Sequence, residues 1–334
     1  MKKINILGVG AALVDQQFSV EDSLLKDLQL NKGSMDLKDQ ETQDQTYKKL
    51  THLYGSSKDA CGGSSTNTVY AASILGSKCS FIGKVADDVN GNFYVDNLNK
   101  AKIKNKCMSS DQGVSGNCLV MVSPDAERTM STFLGISSEL KISDLDEDMI
   151  KEAETVYLEA YLVCSDQCFT TTKRIIEIAQ KNNTKIAISL SDSFIVSSFK
   201  DRLLEWMENE IDYLFCNEEE AKAFSNSETI ENAEMELKKF SKTSFITLGK
   251  DGAIVVSENN KDKIDGFLAD AIDTNGAGDM FAGAVLYKLS KGYENKISAS
   301  FGCFLASKGV KNFGPRLPDE DYIKNEKLFE KYKK

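Results

Sequence analysis

The stretch that decides the fold reads Asp273-Thr274-Asn275-Gly276-Ala277-Gly278-Asp279 and continues into an apolar segment over residues 280–286. Upstream, residues 263–268 are typical of a strand that enters a turn, and apolar residues downstream recur at helical spacing. A glycine-rich turn therefore opens a helix, whose free N–H groups and positive dipole end favour an anion. Asp279 adds a carboxylate that can remove a proton. This pairing suits phosphoryl transfer to a hydroxyl group.

Two other segments point to a polar binding site. In residues 61–68 a Gly-Gly pair precedes an apolar helix, where Gly63 would let a ligand approach the backbone and Asn67 can both donate and accept hydrogen bonds. Asp15 ends the first apolar run, residues 4–14, of which we expect residues 4–10 to be a buried strand. At the carboxyl end of a strand, such a carboxylate can accept hydrogen bonds from two neighbouring hydroxyl groups.

The composition is that of a soluble globular protein, with 334 residues, 41% hydrophobic and 28% charged. The net charge of −10 argues against a nucleic-acid partner, because phosphate binding needs clustered Lys and Arg. The one histidine, His52, and the absence of a Cys-x-x-Cys pair argue against a zinc site, and the eight cysteines fit thiols in a reducing cytoplasm. No signal peptide and no membrane span are expected.

From residue 140 onward, predicted strands alternate with predicted helices. The strands cover residues 155–158, 185–190 and 213–216, and the helices cover residues 170–181 and 199–208. Apolar strands between amphipathic helices predict an α/β fold, a doubly wound and mainly parallel sheet with helices on both faces. In such sheets ligands bind at the carboxyl ends of the strands.

Taken together, these segments resemble the ribokinase-like (PfkB) carbohydrate and nucleoside kinases. The 273–279 stretch is similar to their C-terminal signature, and the Gly-Gly pair with Asn67 is similar to their N-terminal motif. Asn217-x-x-Glu220 is similar to their Asn-x-x-Glu motif, and the Gly-Pro-Arg-Leu-Pro segment at 314–318 to their closing segment. The resemblance spans about residues 3–318. It implies a kinase that uses ATP and Mg²⁺, with a ribokinase-like core and a small β-rich lid.

The resemblance implies a role for each of these segments in an in-line phosphoryl transfer. Asp279 is expected to act as the general base. The N–H groups of Gly276, Ala277 and Gly278 are expected to stabilise the developing charge. Arg128 is expected to approach the transferred phosphoryl group, as its counterpart does in adenosine kinases.

The resemblance also implies a nucleotide site and two metal contacts. The ATP-binding residues are expected to be Asn217, Thr247, Gly249 and Thr274. Glu220 is expected to hold Mg²⁺ through water. In this family Asp273 can also border a monovalent-cation site, which would take K⁺.

The implied lid comprises residues 13–56 and 112–137, and the core comprises residues 1–12, 57–111 and 138–334. Residues 16–58 are polar and irregular apart from a short helical pattern at 22–30. Residues 114–122 and 128–135 are typical of two strands joined by a hairpin turn. In some relatives the lids pair to form dimers, so both a monomer and a homodimer remain open.

The acceptor is inferred from segments 32–35, 126–135 and 159–163, which resemble adenosine and inosine-guanosine kinases. Asp15, Gly63 and Asn67 are expected to position the sugar hydroxyls of a small-molecule acceptor. The side chains expected to line a slot for the base, or else to form ordinary packing, are those of Met35, Met130, Tyr161 and Leu162. We therefore favour a nucleoside kinase, with adenosine first. A PfkB-type sugar kinase for ribose or fructose, and a catalytically silent nucleoside-binding protein, remain as alternatives.

Overall fold

A computed structural model describes residues 2–108, 112–125 and 127–332 of the chain, in two β-sheets and thirteen α-helices. The strands are β1 Ile4–Val9, β2 Leu13–Ser19, β3 Met35–Leu37, β4 Lys58–Cys61, β5 Cys79–Val85, β6 Lys104–Met108, β7 Ser115–Val122, β8 Arg128–Gly135, β9 Ala153–Glu159, β10 Lys185–Ser189, β11 Ile211–Asn217, β12 Ser241–Thr247, β13 Ala253–Ser257 and β14 Lys261–Ile264. Ala126 of the predicted hairpin turn lies outside the described residues, as do residues 1, 109–111 and 333–334 of the predicted core.

The helices pack around the two sheets, and three long ones lie in the C-terminal part of the described chain. The helices are α1 Asp22–Asp27, α2 Gln40–Tyr54, α3 Ser64–Ile74, α4 Val89–Lys100, α5 Glu147–Glu152, α6 Asp166–Lys181, α7 Ser193–Ser198, α8 Lys200–Trp206, α9 Glu218–Ser225, α10 Ile230–Leu237, α11 Ala277–Ser290, α12 Asn295–Gly309 and α13 Asp319–Tyr332. Over the described ranges, none of these helices is both long enough and apolar enough to cross a lipid bilayer.

The larger sheet has nine strands in the order β14-β13-β12-β11-β10-β9-β1-β5-β6. Pairing is parallel from β12 to β6, and the edge strands β13 and β14 are antiparallel. Successive residues of β1 belong to different buried clusters, since Ile6 lies in the one that contains Phe281 of α11 and Leu7 in the one that contains Ile175 of α6. Helices therefore cover both faces, and the predicted α/β class is confirmed.

The smaller sheet has five strands in the order β3-β8-β7-β2-β4. On one face, Phe18 of β2 and Leu119 of β7 pack against Leu24 of α1 and Leu50 of α2. Because side chains alternate along a strand, the neighbouring residues Leu13, Asp15 and Cys118 face the other way. These side chains line a cavity between the two sheets.

Two details of the smaller sheet differ from the prediction. Residues 40–54 form the regular helix α2 rather than irregular chain, capped by Asp39, whose carboxylate accepts from the Thr42 N–H at 2.8 Å. Only Gln43 and Leu50 of this helix are buried, so its polar sequence hides the helical period. Strand β4 pairs with β2, although the predicted boundary assigned residues from 57 onward to the core. The division into core and lid stays a prediction.

Candidate active site

A cavity of about 770 Å³ lies between the two sheets. The larger sheet contributes the carboxyl ends of four neighbouring parallel strands, at Glu159, Ser189, Asn217 and Thr247. The smaller sheet contributes alternate side chains of β2 and β8. The N-terminal ends of α3 and α11 complete the wall. The cavity thus occupies the place where ligands bind in open parallel sheets.

Asp279 lies in the first turn of α11 and faces this cavity. The Ser64 hydroxyl donates to Asp279 Oδ1 at 2.6 Å, and the Asn67 amide donates to Oδ2 at 3.2 Å. Burial of the carboxylate raises the pKa of Asp279 to about 6, against the opposing effect of these donors and of Arg128 and Arg316. A carboxylate with this pKa is ionised at neutral pH and can still accept a proton.

The turn before Asp279 requires glycine at its first position. Gly276 caps α11 with φ at +69°, and a Cβ there would lie 2.6 Å from the Pro315 carbonyl oxygen. The N–H groups of Gly276 and Gly278 donate to no other described residue. The N–H of Ala277, by contrast, donates to the Thr274 carbonyl oxygen at 3.2 Å. Of the three N–H groups predicted to stabilise the developing charge, that of Ala277 thus has a partner within the turn, and the role of all three stays a prediction.

Arg128 reaches from β8 across the cavity to the loop that precedes α11. Its Nη1 donates to Asn275 Oδ1 at 2.7 Å, and its Nε lies 3.7 Å from Asp273 Oδ1. Asp273 is fully buried and accepts from the N–H groups of Asn275 and Gly314, both at 2.8 Å. Asp273 therefore fixes the backbone of this loop through hydrogen bonds and does not line the cavity.

Asp15 lies within β2 of the smaller sheet, not at the carboxyl end of the first strand as predicted. Its carboxylate is buried but faces the cavity, and burial raises its pKa to about 7, opposed mainly by Arg316 and Arg128. A Cβ on Gly62 would lie 1.9 Å from Asp15 Oδ1, so the Gly-Gly pair provides the space that this side chain occupies. Gly63 and Asn67 line the cavity beside it.

Three of the four side chains predicted to surround a base lie in the cavity wall: Met35, Met130 and Tyr161. Leu162 does not. It is buried in the apolar core that Ile175 also joins, because successive residues of the 3-10 helix Ala160–Cys164 point in different directions. The prediction for Leu162 is therefore wrong.

Of the residues predicted for ATP and metal binding, some line the cavity and others lie outside its lining. Asn217, Thr247 and Thr274 line the cavity, whereas Gly249 begins a 3-10 turn outside its lining. Glu220 accepts from the Asn217 N–H at 3.1 Å and the Asn217 amide at 2.7 Å, and burial raises its pKa to about 7. Within the described chain this carboxylate has no cationic partner, and no group of three Cys, His, Asp or Glu side chains is placed to hold a metal ion.

Three residues of this site were not predicted: Ser64, Glu159 and Arg316. Glu159 accepts from the N–H groups of Ala11 and Ser65 at 2.7 and 2.6 Å, and so connects the loop after β1 to the start of α3. Arg316 Nε donates to Asn67 Oδ1 at 2.9 Å. Signals for all three were present, since Ser64 follows the Gly-Gly pair, Glu159 ends a predicted strand, and Arg316 lies in the closing segment at 314–318.

Known proteins that are similar to this chain include several kinases. Residues 33–321 match the pfkB family of carbohydrate kinases. The chain is 26% identical to adenosine kinase of Saccharomyces cerevisiae over 281 residues, which cover 79% of this chain and 81% of that protein. Solved structures of a probable sugar kinase from Rhizobium etli and of adenosine kinase from Sinorhizobium meliloti superpose with TM-scores of 0.93 and 0.92, each at 27% identity and each covering 98% of this chain and 99% of the other. Kinases of this family use ATP to phosphorylate hydroxyl groups. The chain belongs to the pfkB family of carbohydrate kinases.

Proposed function

We propose that the protein transfers the γ-phosphoryl group of ATP to the primary hydroxyl of a nucleoside, with adenosine as the first candidate. One observation carries the proposal. The Asp279 carboxylate is held in the cavity by Ser64 and Asn67, next to the free N–H groups of Gly276 and Gly278. A base for the acceptor hydroxyl and donors for the developing charge thus occupy one helix terminus.

In this proposal the reaction is a single in-line displacement. Asp279 takes the proton of the acceptor hydroxyl as its oxygen bonds to the γ-phosphorus, and the bond between that phosphorus and the bridging oxygen breaks to release ADP. The N–H groups of Gly276 and Gly278 and the guanidinium of Arg128 face the transferred group. Asp15 accepts hydrogen bonds from the ribose hydroxyls, and Asn67 donates a hydrogen bond to them. These contacts hold the primary hydroxyl toward Asp279.

Mg²⁺ would be held near Glu220. The fit rests on a buried carboxylate that faces the cavity and has no cationic partner in the described chain. Asn217 donates two hydrogen bonds to that carboxylate and fixes its orientation. When bound, Mg²⁺ would neutralise charge on the nucleotide phosphates. For K⁺, each oxygen of Asp273 accepts one backbone N–H group and keeps a further lone pair, so a cation site bordered by this residue stays a prediction.

The charge of the cavity supports an uncharged acceptor. Eight carboxylates line it in the described chain, and Arg128 is the one basic lining residue there. These carboxylates would therefore repel a phosphate group carried by the acceptor at short range. The carboxylates are those of Asp15, Asp125, Glu127, Glu159, Asp192, Glu219, Glu220 and Asp279. This favours a nucleoside or free sugar over a sugar phosphate.

The apolar part of the wall supports a nucleoside over a free sugar. Met35 of β3 and Met130 of β8 pair across neighbouring strands, and Tyr161 lies in the cavity wall with them. A free sugar can place only its C–H groups on such a surface, whereas a purine base gains about 1–3 kcal/mol by stacking on an aromatic side chain. A sugar kinase remains the second candidate, because the probable sugar kinase from Rhizobium etli matches as well as the adenosine kinase.

The test is ATP consumption with Mg²⁺ on a panel of adenosine, inosine, guanosine, ribose and fructose. The same assay is run on Asp279→Asn, on Tyr161→Ala, and on Asp201→Asn as a control, since Asp201 is exposed on α8. We expect adenosine turnover, a loss of about 10²–10⁴ in kcat for Asp279→Asn, and no loss for Asp201→Asn.

Each other outcome has a defined meaning. Turnover on ribose or fructose alone, unaffected by Tyr161→Ala, would replace the nucleoside by a free sugar. Adenosine binding by calorimetry without any turnover would support a silent nucleoside-binding protein. Undiminished kcat in Asp279→Asn would remove the proposed base.

A further inference from the structure

We propose that Arg316 is a positioning residue for the general base: it fixes the Asn67 side chain so that the amide NH₂ group, and not the amide oxygen, faces the Asp279 carboxylate. This inference rests on the proposed function. It concerns a residue in the segment after α12, which lies far along the chain from both Asn67 and Asp279. The segment would thereby form part of the catalytic apparatus and not merely the end of the fold.

The orientation of Asn67 follows from its two neighbours. Arg316 can only donate, so the Asn67 atom 2.9 Å from its Nε must be the amide oxygen. The other side of the same amide must then be the NH₂ group, which donates to Asp279 Oδ2 at 3.2 Å. Without Arg316, the amide oxygen would lose its partner, and only the contact between the NH₂ group and the Asp279 carboxylate would favour this orientation.

Arg316 is itself held rigidly enough to fix a neighbour. Its Nη1 donates to Asn97 Oδ1 of α4 at 2.7 Å, and its guanidinium lies 3.9 Å from the centre of the Tyr70 ring. The Tyr70 hydroxyl donates to Asp319 Oδ1 at the start of α13, at 2.7 Å. A planar guanidinium that stacks on a ring and donates along two directions has little rotational freedom. It can therefore impose one orientation on Asn67.

The consequence for the base is a lower pKa than burial alone would allow. The Asn67 hydrogen bond and the Arg316 charge both lower the pKa of Asp279, against the dominant effect of burial. Other charged or titratable groups act on this cluster from β8, β2, β9, the 3-10 helix Ala160–Cys164 and α9. They are Arg128, Asp15, Tyr157, Glu159, Tyr161 and Glu220. All of them remain in an Arg316 variant, so a change in the pKa of Asp279 reports on Arg316 itself.

The decisive measurement is the pKa of Asp279 by ¹³C NMR of the carboxyl carbon in aspartate-labelled protein, with the signal assigned by its absence in Asp279→Asn. Arg316→Met should raise this pKa by about 0.5–1 unit, and Arg316→Lys should restore most of the difference. Arg174→Met is the control, because Arg174 of α6 pairs with Glu147 of α5 and Glu177 of α6, away from the cavity lining. Melting temperatures establish that each variant is folded.

A double variant separates positioning from charge alone. In an Asn67→Ala background, Arg316→Met should shift the pKa by less than half as much as in the wild type, because the amide through which Arg316 acts is absent. Equal shifts in both backgrounds would overturn the inference and make Arg316 a nearby charge only. No shift in either background would reduce it to a structural anchor.

Turnover provides a second readout where the wild type has nucleoside kinase activity. The acidic limb of the pH profile of kcat should move to higher pH in Arg316→Met, so that kcat at pH 7 is lower by up to about twofold and this part of the loss is recovered at pH 9. The NMR experiment does not need turnover. A wild type without nucleoside kinase activity would thus refute the proposed function, while the pKa values of Asp279 would still decide the role of Arg316.

Discussion

Replacing Asp15 by Asn is expected to make the protein more stable, although it removes the proposed contact to the acceptor. The Asp15 side chain is 7% exposed, and burial raises its pKa from 3.8 to about 7. At about 1.4 kcal/mol per pKa unit, the ionised Asp15 carboxylate lowers the free energy of unfolding by about 4 kcal/mol above pH 7. Asn has nearly the same shape and carries no charge, so it avoids this cost.

The sign and the pH window follow from the direction of the shift. Because the pKa of Asp15 is higher in the folded than in the unfolded chain, its contribution to wild-type stability is fully present below about pH 4 and is lost as the pH rises to about 7. The gain from Asp15→Asn should therefore be absent near pH 4, about half its full size near pH 5.5, and complete near pH 8. For 334 residues, about 4 kcal/mol corresponds to about 5 °C in Tm.

The assay is calorimetric Tm at pH 5.5 and pH 8 for the wild type, Asp15→Asn and the exposed control Asp201→Asn. The reasoning is refuted if Asp15→Asn melts at or below the wild-type temperature at pH 8. That result would mean that Arg316 and Arg128 stabilise the ionised carboxylate by more than burial destabilises it. The same variant should lose affinity for the acceptor, as expected for a site whose function is maintained at the expense of stability.

Three further predictions concern the base, the glycine turn and the C-terminal helix. Because the pKa of Asp279 is raised to about 6 and the base acts when ionised, kcat should fall below about pH 6, as a pH profile would reveal; a flat profile down to pH 5 would contradict this. Gly276→Ala should lower Tm and kcat, since it places a Cβ 2.6 Å from the Pro315 carbonyl oxygen at positive φ, whereas Gly278→Ala, with nothing within 4 Å, should leave Tm unchanged. Lys288→Met should destabilise the protein by about 1–3 kcal/mol in denaturant titrations, because buried Lys288 binds Glu326 and Glu330 of α13; unchanged stability would show that water replaces this contact.

Local sequence was sufficient for the class of fold and for the position of Asp279 at the start of a helix. The Gly-Ala-Gly turn before Asp279 can be recognised in the sequence because positive φ and free N–H groups at a helix start demand particular residues in a fixed order. Strands such as β9 and β11 are recognisable because burial on both faces requires continuous apolar runs. These properties depend on neighbours along the chain, and a sequence displays them directly.

Contacts between distant segments were decided by the tertiary structure alone. Residues Asn67, Asp279 and Arg316 meet although about 212 and 249 positions separate Asn67 from the other two. Helix α2 was not predicted because only Gln43 and Leu50 of it are buried. Its sequence therefore shows no apolar residues at helical spacing. Leu162 was assigned to the cavity because a 3-10 helix turns neighbouring side chains in directions that spacing does not specify. The residues of this site could therefore be recognised in the sequence. The partners that orient their side chains and set their pKa values come together only when the two sheets and the segment after α12 pack against one another.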